Sequence, residues 1–218
     1  AAIPMASVRE MGESHRAIVA KVSQVAGYRE LFRQAYGDEK VDLPRITSAI
    51  GSFERTILVY DSPWHRWEAG DSEALGESAR RGLDIFKDNN RGRCSVCHSG
   101  PNFTDEEFHN TGAGTGAGTA ADAGRYEVTG AEGDRGRFKT PTLMNVSLSA
   151  PYMHDGSLRT LEEVVEFYSR GGVENPAWPL DVEMKKLDLS PAEKEDLAAF
   201  LRALTGRTTR VDIPEPLD

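Results

Sequence analysis

The sequence predicts a mostly α-helical fold interrupted by long irregular loops. Two observations carry this reading. Apolar residues recur at helical spacing in segments bounded by capping residues and by Gly or Pro, and helices rather than strands dominate throughout. The stretch from Gly100 to Lys139, by contrast, is glycine-rich and holds no sustained period.

Residues 1–36 carry Met11, Ile18, Val22, Val25, Leu31, Phe32 and Tyr36 at spacings that predict two short helices, about 13–25 and 28–36, after a loop-like opening around Pro4. Pro44 is placed to start a helix running to Tyr60, with Ile46, Ile50, Phe53 and Ile57 on one face. Asp61, Ser62 and Pro63 end it, and a compact connector follows in which Trp64 and Trp67 are packing anchors. A helix is expected from Glu73 through Phe86, striped by Leu75, Ala79, Leu83 and Phe86. In the middle loop the glycines do not follow the phosphate-binding order, so a nucleotide site is rejected and a loop covering a cofactor edge is expected. His109 there reads as a hydrogen-bonding loop histidine, and Asp122, Arg125, Glu132, Asp134 and Arg135 as solvated groups. Residues 138–160 form two proline-bounded extended or turn segments. Ser157 or Thr160 then caps TLEEVVEFYSR, whose face is Leu161, Val164, Val165 and Tyr168 and whose end is Gly171-Gly172. Ser190 and Glu193 form a capping box with Pro191 at the first helical position, opening a last helix with Leu197, Phe200, Leu201 and Leu204 on its packed face.

The helix ending at Phe86 delivers Cys94-Ser95-Val96-Cys97-His98, the haem-attachment signature: two thiols for thioethers to the haem vinyls and an adjacent imidazole for the iron. The chain has only 2 cysteines and both are here. A zinc ribbon needs a second pair of soft ligands, and a redox dithiol wants a strand-to-helix setting; neither is present. Helix, attachment loop and iron ligand follow in the order of a c-type cytochrome domain, here with long haem-covering loops. A formal charge of -9 argues against nucleic acid as a partner, and no apolar run approaches the ~18 residues of a membrane span. No signal peptide is visible, yet covalent haem implies an oxidising, extracytoplasmic compartment, and the periplasm is expected. For the sixth iron position the residues nominate Met144, Met153, His154, Tyr168 and His109. Spacing alone favours Met153, and periodicity leaves the choice open.

RRGLDIFKDNNRGRCSVCHSGPNFTDEEFHNTG, FKTPTLMNVSLSAPYMHDGSLRTLEEVVEFYSRGG and LSPAEKEDLAAFLRALTG together resemble the C-terminal haem domain of the bacterial dihaem cytochrome c peroxidase and MauG family, and AIGSFERTILVYDSPWHRW resembles the segment preceding it. The resemblance runs from about residue 4 to residue 206. It implies reduction of hydrogen peroxide, or peroxide-dependent oxidation of a protein partner, shared between two haems. Cys94 and Cys97 then match the thioether attachments, and His98 the proximal ligand, of the second haem. Tyr168, fourteen positions beyond His154, is similar to the tyrosine ligand of the MauG branch and displaces Met153 as the expected sixth ligand. His154 resembles a histidine near the haem surfaces, and Ser149 and Pro151 match positions that bind a calcium ion between the haems. Glu10 matches the acid beside the peroxide-binding haem, and Pro4 a proline packed in the same pocket.

The resemblance divides the chain into a helical segment, 1–62, expected to pack with a missing N-terminal peroxidatic haem domain; a haem domain, 63–206; and a tail, 207–218. With a single attachment motif, one haem is expected on this chain and the second on that domain or on a second haem-bearing chain. A redox protein donor or protein substrate completes the expected partners. Gly92 stands where the quinone-cofactor-making member has a surface tryptophan, which argues against that biosynthetic activity, and Met144 replaces an arginine common in the family. The expected function is the haem-bearing portion of a dihaem peroxidase or peroxide-dependent protein oxidase; the alternative is a monohaem electron carrier.

Overall fold

The computed structural model describes residues 2–8, 10–114, 122–175, 178–211, 215 and 217. The glycine-rich 115–121 of the middle loop and most of the expected tail beyond 211 lie outside them. The chain forms two compact units, Ala1–Leu58 with Thr208–Asp218, and Val59–Arg207.

In the first unit, α1 (Ala2–Ala6), α2 (His15–Gln24), α3 (Ala26–Tyr36) and α4 (Leu43–Glu54) enclose a small core of Met5, Phe32 and Ile46. Ser14 caps α2 by accepting from the Ala17 N–H, α3 stops at Gly37 with φ 84°, and Asp42 caps α4 by accepting from the Arg45 N–H. The opening segment, expected as loop, is the short helix α1: Pro4 sits in its first turn, where a missing N–H costs nothing, and Met5 is buried. The expected helix to Tyr60 ends at Glu54. There the Thr56 hydroxyl and N–H both donate to the Phe53 carbonyl, replacing the helical pattern, and Phe53 and Ile57 remain exposed.

The second unit contains α5 (Pro63–Glu68), α6 (Glu77–Lys87), α7 (Tyr126–Thr129), α8 (Leu161–Ser169) and α9 (Pro191–Ala203). Part of the expected connector is therefore helical, because Ser62 and His65 cap one another reciprocally ahead of α5. Trp64 and Trp67 pack against the main core, as anchors should. Helix α6 begins later than Glu73: the Asp71 carboxylate accepts from the Glu73 N–H and holds a turn, while Leu75 is fully buried ahead of the helix. Helices α8 and α9 open on the capping boxes Thr160/Glu163 and Ser190/Glu193. Strands are minor: Phe108–His109 pairs antiparallel with Phe138–Lys139.

The core of this unit is the crossing of α6 and α9. A Cβ on Gly82 would lie 2.0 Å from the Asp196 carbonyl oxygen and 2.9 Å from the Phe200 Cβ, so glycine is what allows the contact. Arg81 donates to both Asp196 carboxylate oxygens at 2.7 and 2.8 Å, and the Ser78 hydroxyl donates at 2.6 Å. Beneath lie Leu83, Phe86, Leu197, Phe200, Leu201 and Leu204. Gly82→Ala is expected to destabilise the fold by about 2–3 kcal/mol despite alanine's better helix propensity, because backbone cannot yield to the methyl. An unchanged denaturant midpoint would show that the two helices separate freely.

Candidate functional site

The attachment loop leaves α6 through a turn in which Gly92 is packed on the Ile85 carbonyl; a Cβ there would lie 2.2 Å from that oxygen. The position where the resemblance looks for a surface tryptophan thus has no room for a side chain. Arg93 adopts a left-handed conformation, φ 55°, and Cys94–Val96 form a single 3-10 turn. The His98 N–H donates to the Cys94 carbonyl at 2.9 Å.

The His98 ring is oriented by the core. Its Nδ1 is 2.9 Å from the Phe103 carbonyl oxygen, which accepts only if Nδ1 carries the proton, and the Pro141 carbonyl also acts on the ring; Nε2 is then the nitrogen with a lone pair to offer a metal. Phe103 is 5% exposed and meets Trp64, Phe86 and Phe200 edge to face, with centroids 4.9, 5.7 and 6.0 Å away. Beyond the ring lies an apolar cavity walled by Leu143, Val165, Leu187, Leu197 and Leu201, with Cys94, His98 and Tyr168 on its lining.

Burial keeps the cavity's ionisable groups neutral. It pushes the Cys94 thiol up to about 12 and Cys97, with help from Asp105, Asp181 and Glu183, up to about 11. It raises the Tyr168 phenol to about 12, aided by Cys94 and Cys97, and lowers His98. Both cysteines are free thiols. A redox dithiol lowers the pKa of its attacking thiol; this site does the reverse. The zinc alternative also fits poorly. Cys97, Asp105 and His109 are the one cluster of metal-ligating type among the described residues, but both His109 ring nitrogens are already bonded to carboxylates, at 2.9 Å to Asp105 and 2.7 Å to Asp181. One thiol, an imidazole and a phenol on a common apolar cavity, with the second thiol on the same attachment segment, do fit a covalently attached haem.

Met153, the choice from spacing, is not among the residues lining the cavity. It sits in a left-handed turn, φ 69°, closed by the Gly156 N–H donating to its carbonyl and flanked by the Tyr152–Leu158 bridge. Met144 packs against the main core, and His154 is exposed, its ring stacked on Phe138 with centroids 3.6 Å apart. Ser149 and Pro151 are exposed, the Ser149 hydroxyl donating to the Val146 carbonyl. Pro4 and Glu10 belong to the other unit and are exposed on it. The charged groups of the middle loop are paired as well as solvated: Arg125 lies 3.3 Å from Asp134, and Arg135 2.6 Å from Glu132. Sequence reasoning missed Phe103, Asp105 and Asp181. The Asp105–His109 spacing was a faint signal; nothing local links His109 to Asp181, 72 residues away.

Residues 1–73 match the family described as di-haem cytochrome c peroxidase. The chain is 37% identical over 216 residues to the methylamine utilization protein MauG of Methylophilus methylotrophus, covering 98% of this chain and 62% of that protein. It is 34% identical over 215 residues to the cytochrome c551 peroxidase of Nitrosomonas europaea, covering 98% and 60%. A crystal structure of a MauG-like protein associated with microbial copper homeostasis matches at TM-score 0.76 and 34% identity, over 94% of this chain and 67% of that one. The chain belongs to the MauG/cytochrome c peroxidase family. The diheme peroxidase BthA of Burkholderia thailandensis, 20% identical at TM-score 0.69 over 93% of this chain and 62% of that one, shares the fold. This MauG-family chain spans about three fifths of the length of the curated relatives it matches. Kinship with haem peroxidases supports a covalent c-type haem.

Because the folded-state pKa values of Cys94, Cys97 and Tyr168 lie above their ordinary 9 to 10, neutral burial of these groups stabilises the haem-free chain below about pH 9, and this contribution is lost as pH rises toward 12. Urea unfolding in steps from neutral to about pH 11 is expected to show a falling midpoint. Tyr168→Phe should flatten the fall above pH 10.

Proposed function

We propose that this chain supplies the electron-storing or electron-relaying haem of a dihaem peroxidase or peroxide-dependent protein oxidase. The observation that carries the reading is the apolar cavity lined together by Cys94, His98 and Tyr168. When bound, the haem supplies one-electron redox chemistry. Cys94 and Cys97 hold it through thioethers, and His98 offers Nε2 while the Phe103 carbonyl keeps Nδ1 protonated. Tyr168 would offer its oxygen to the haem iron; its phenol, pushed up to about 12 by burial, would bind as phenolate and so favour the oxidised state and a low potential. Leu143, Val165 and Leu201 exclude water from this inner wall.

Peroxide reacts, in this reading, at a second haem on the part of the relatives' length outside this sequence or on a second haem-bearing chain. Segment 1–62 would pack there, with Glu10 as the acid able to carry a proton for peroxide cleavage and Pro4 shaping the pocket. Their exposure on the first unit is consistent with waiting for that neighbour. Ser149 and Pro151 would offer oxygens to a calcium ion, and His154 would lie near the haem. A redox protein serves as donor or substrate, in the periplasm, where covalent haem attachment occurs. No helix among the described residues is long and apolar enough to cross a membrane. The single attachment motif favours a second reading, a monohaem electron carrier.

Native mass with a pyridine haemochrome count is expected to give one covalent haem per chain. The isolated chain should turn over peroxide poorly, and far faster when joined to the second haem; equal turnover alone would overturn the division of labour. Tyr168→Phe is expected to convert a low-spin ferric spectrum toward high spin, and an unchanged EPR spectrum would remove Tyr168 from the iron. In the assembled enzyme Glu10→Gln is expected to cost on the order of 10²-fold in turnover.

A further inference from the structure

A belt of charged groups, none of them on the lining of the apolar cavity, closes on the attachment segment. The Asp105 N–H donates to the Cys97 carbonyl at 2.8 Å, tying the turn after the motif to the motif itself. The Asp105 carboxylate accepts from His109 Nε2 at 2.9 Å, and His109 Nδ1 donates to Asp181 at 2.7 Å. Asp181 also caps its own turn, accepting from the Glu183 N–H at 3.1 Å, and Glu183 pairs with Arg93, the residue before Cys94. The 181–183 turn thereby closes on residues 93–105 from both ends. It is itself pinned by Asn110, 2% exposed, whose side-chain amide donates to the Trp178 and Pro179 carbonyls at 3.0 and 3.1 Å and whose carbonyl accepts from the Asp181 N–H.

The centre of the belt has a fixed chemistry. Ionised carboxylates only accept, and a neutral imidazole donates from one nitrogen alone, so a ring bonded to carboxylates on both sides is an imidazolium. Its side chain is 21% exposed, those of Asp105 and Asp181 19% and 12%, so solvent screens the three only partly. Glu183 and Arg93 act with the two aspartates on the Cys97 thiol, Arg137 acts on Asp181, His109 acts on the His98 ring, and the Cys97 sulfur lies within 4.8 Å of the ligating atoms of Asp105 and His109.

We propose that His109, held as a cation between Asp105 and Asp181, is the positioning residue that buckles the haem-attachment segment and tunes the potential of the haem iron by its charge beside Cys97. The proposal rests on the haem reading above. It assigns opposite effects to neighbouring groups: the imidazolium disfavours the ferric charge and raises the potential, whereas the Asp181 carboxylate lowers it.

The test is a mediated spectroelectrochemical titration of the haem-loaded chain near pH 7, comparing wild type with His109→Gln and Asp181→Asn. At fixed ambient potential, His109→Gln is expected to shift the ratio of reduced to oxidised haem roughly tenfold toward oxidised, about 59 mV for one electron, and Asp181→Asn to shift it the other way. Loosening of the segment alone would move both variants in the same direction. Shifts of one sign, or none beyond about twofold, with haem content intact, overturn the proposal. Should His109→Gln fail to fold, Glu183→Gln takes its place beside Asp181→Asn, and both must shift toward reduced. A wild-type chain without covalent haem refutes the haem reading alone. The belt is then decided on the haem-free chain by nitrogen-resolved NMR, where a doubly protonated His109 ring supports it and a neutral ring overturns it.

Discussion

The hydrogen bond that His98 Nδ1 donates to the Phe103 carbonyl is the constraint on which the site depends. An imidazole can present either nitrogen, and its tautomer is set by whatever its other nitrogen meets. Here that partner is a main-chain oxygen on a residue locked by three aromatic neighbours. Phe86 comes from α6 and Phe200 from α9, so the helix crossing that builds the core also aims the ligand. Burying each phenylalanine contributes about 1.5–3 kcal/mol and each edge-to-face pair about 0.5–1.5 kcal/mol more. A fold that loses this cluster loses the orientation of His98 with it.

Around that axis the protein separates two electrostatic environments. On the cavity side every titratable group is driven toward its neutral form by burial, and leucine and valine side chains complete the wall. Outside the cavity lining Arg93, Asp105, His109, Asp181 and Glu183 hold the segment by charge-assisted bonds. The motif lies on the boundary, with Cys94 on the cavity lining and Cys97 beside the charged belt. An apolar wall suits a flat hydrophobic cofactor, which family membership supports, and the proposal above gives the charged belt the adjustment of its redox balance.

The caps and stripes were legible because they are local. Ser190, Pro191 and Glu193 sit within four residues, and the structure forms the box they predict; Thr160 and Glu163 do the same. The expected helix to Tyr60 failed because Thr56 offers its own hydroxyl to the backbone, a competition that apolar periodicity does not register. Met153 failed as a cavity residue because loop spacing says nothing of the direction in which a left-handed turn sends a side chain. Tyr168 reaches the cavity because its helical face is set by period, together with Val164 and Val165.

By itself, then, the sequence determined the helices whose caps lie within one turn, and it set the expectation of covalent haem, since two thiols and an imidazole at fixed spacing admit few uses. Only the tertiary structure decided which nitrogen of His98 keeps its lone pair, that Gly82 and Gly92 stand where a Cβ would strike a carbonyl, and that His109 is gripped by Asp181. Gly82 of α6 meets Asp196 of α9, His109 meets Asp181 across 72 residues, and the nearby pairs His98–Phe103 and Gly92–Ile85 meet through irregular turns, so no local period encodes these contacts. Packing decides them because a backbone oxygen or a buried carboxylate must be satisfied by whatever the fold carries to it.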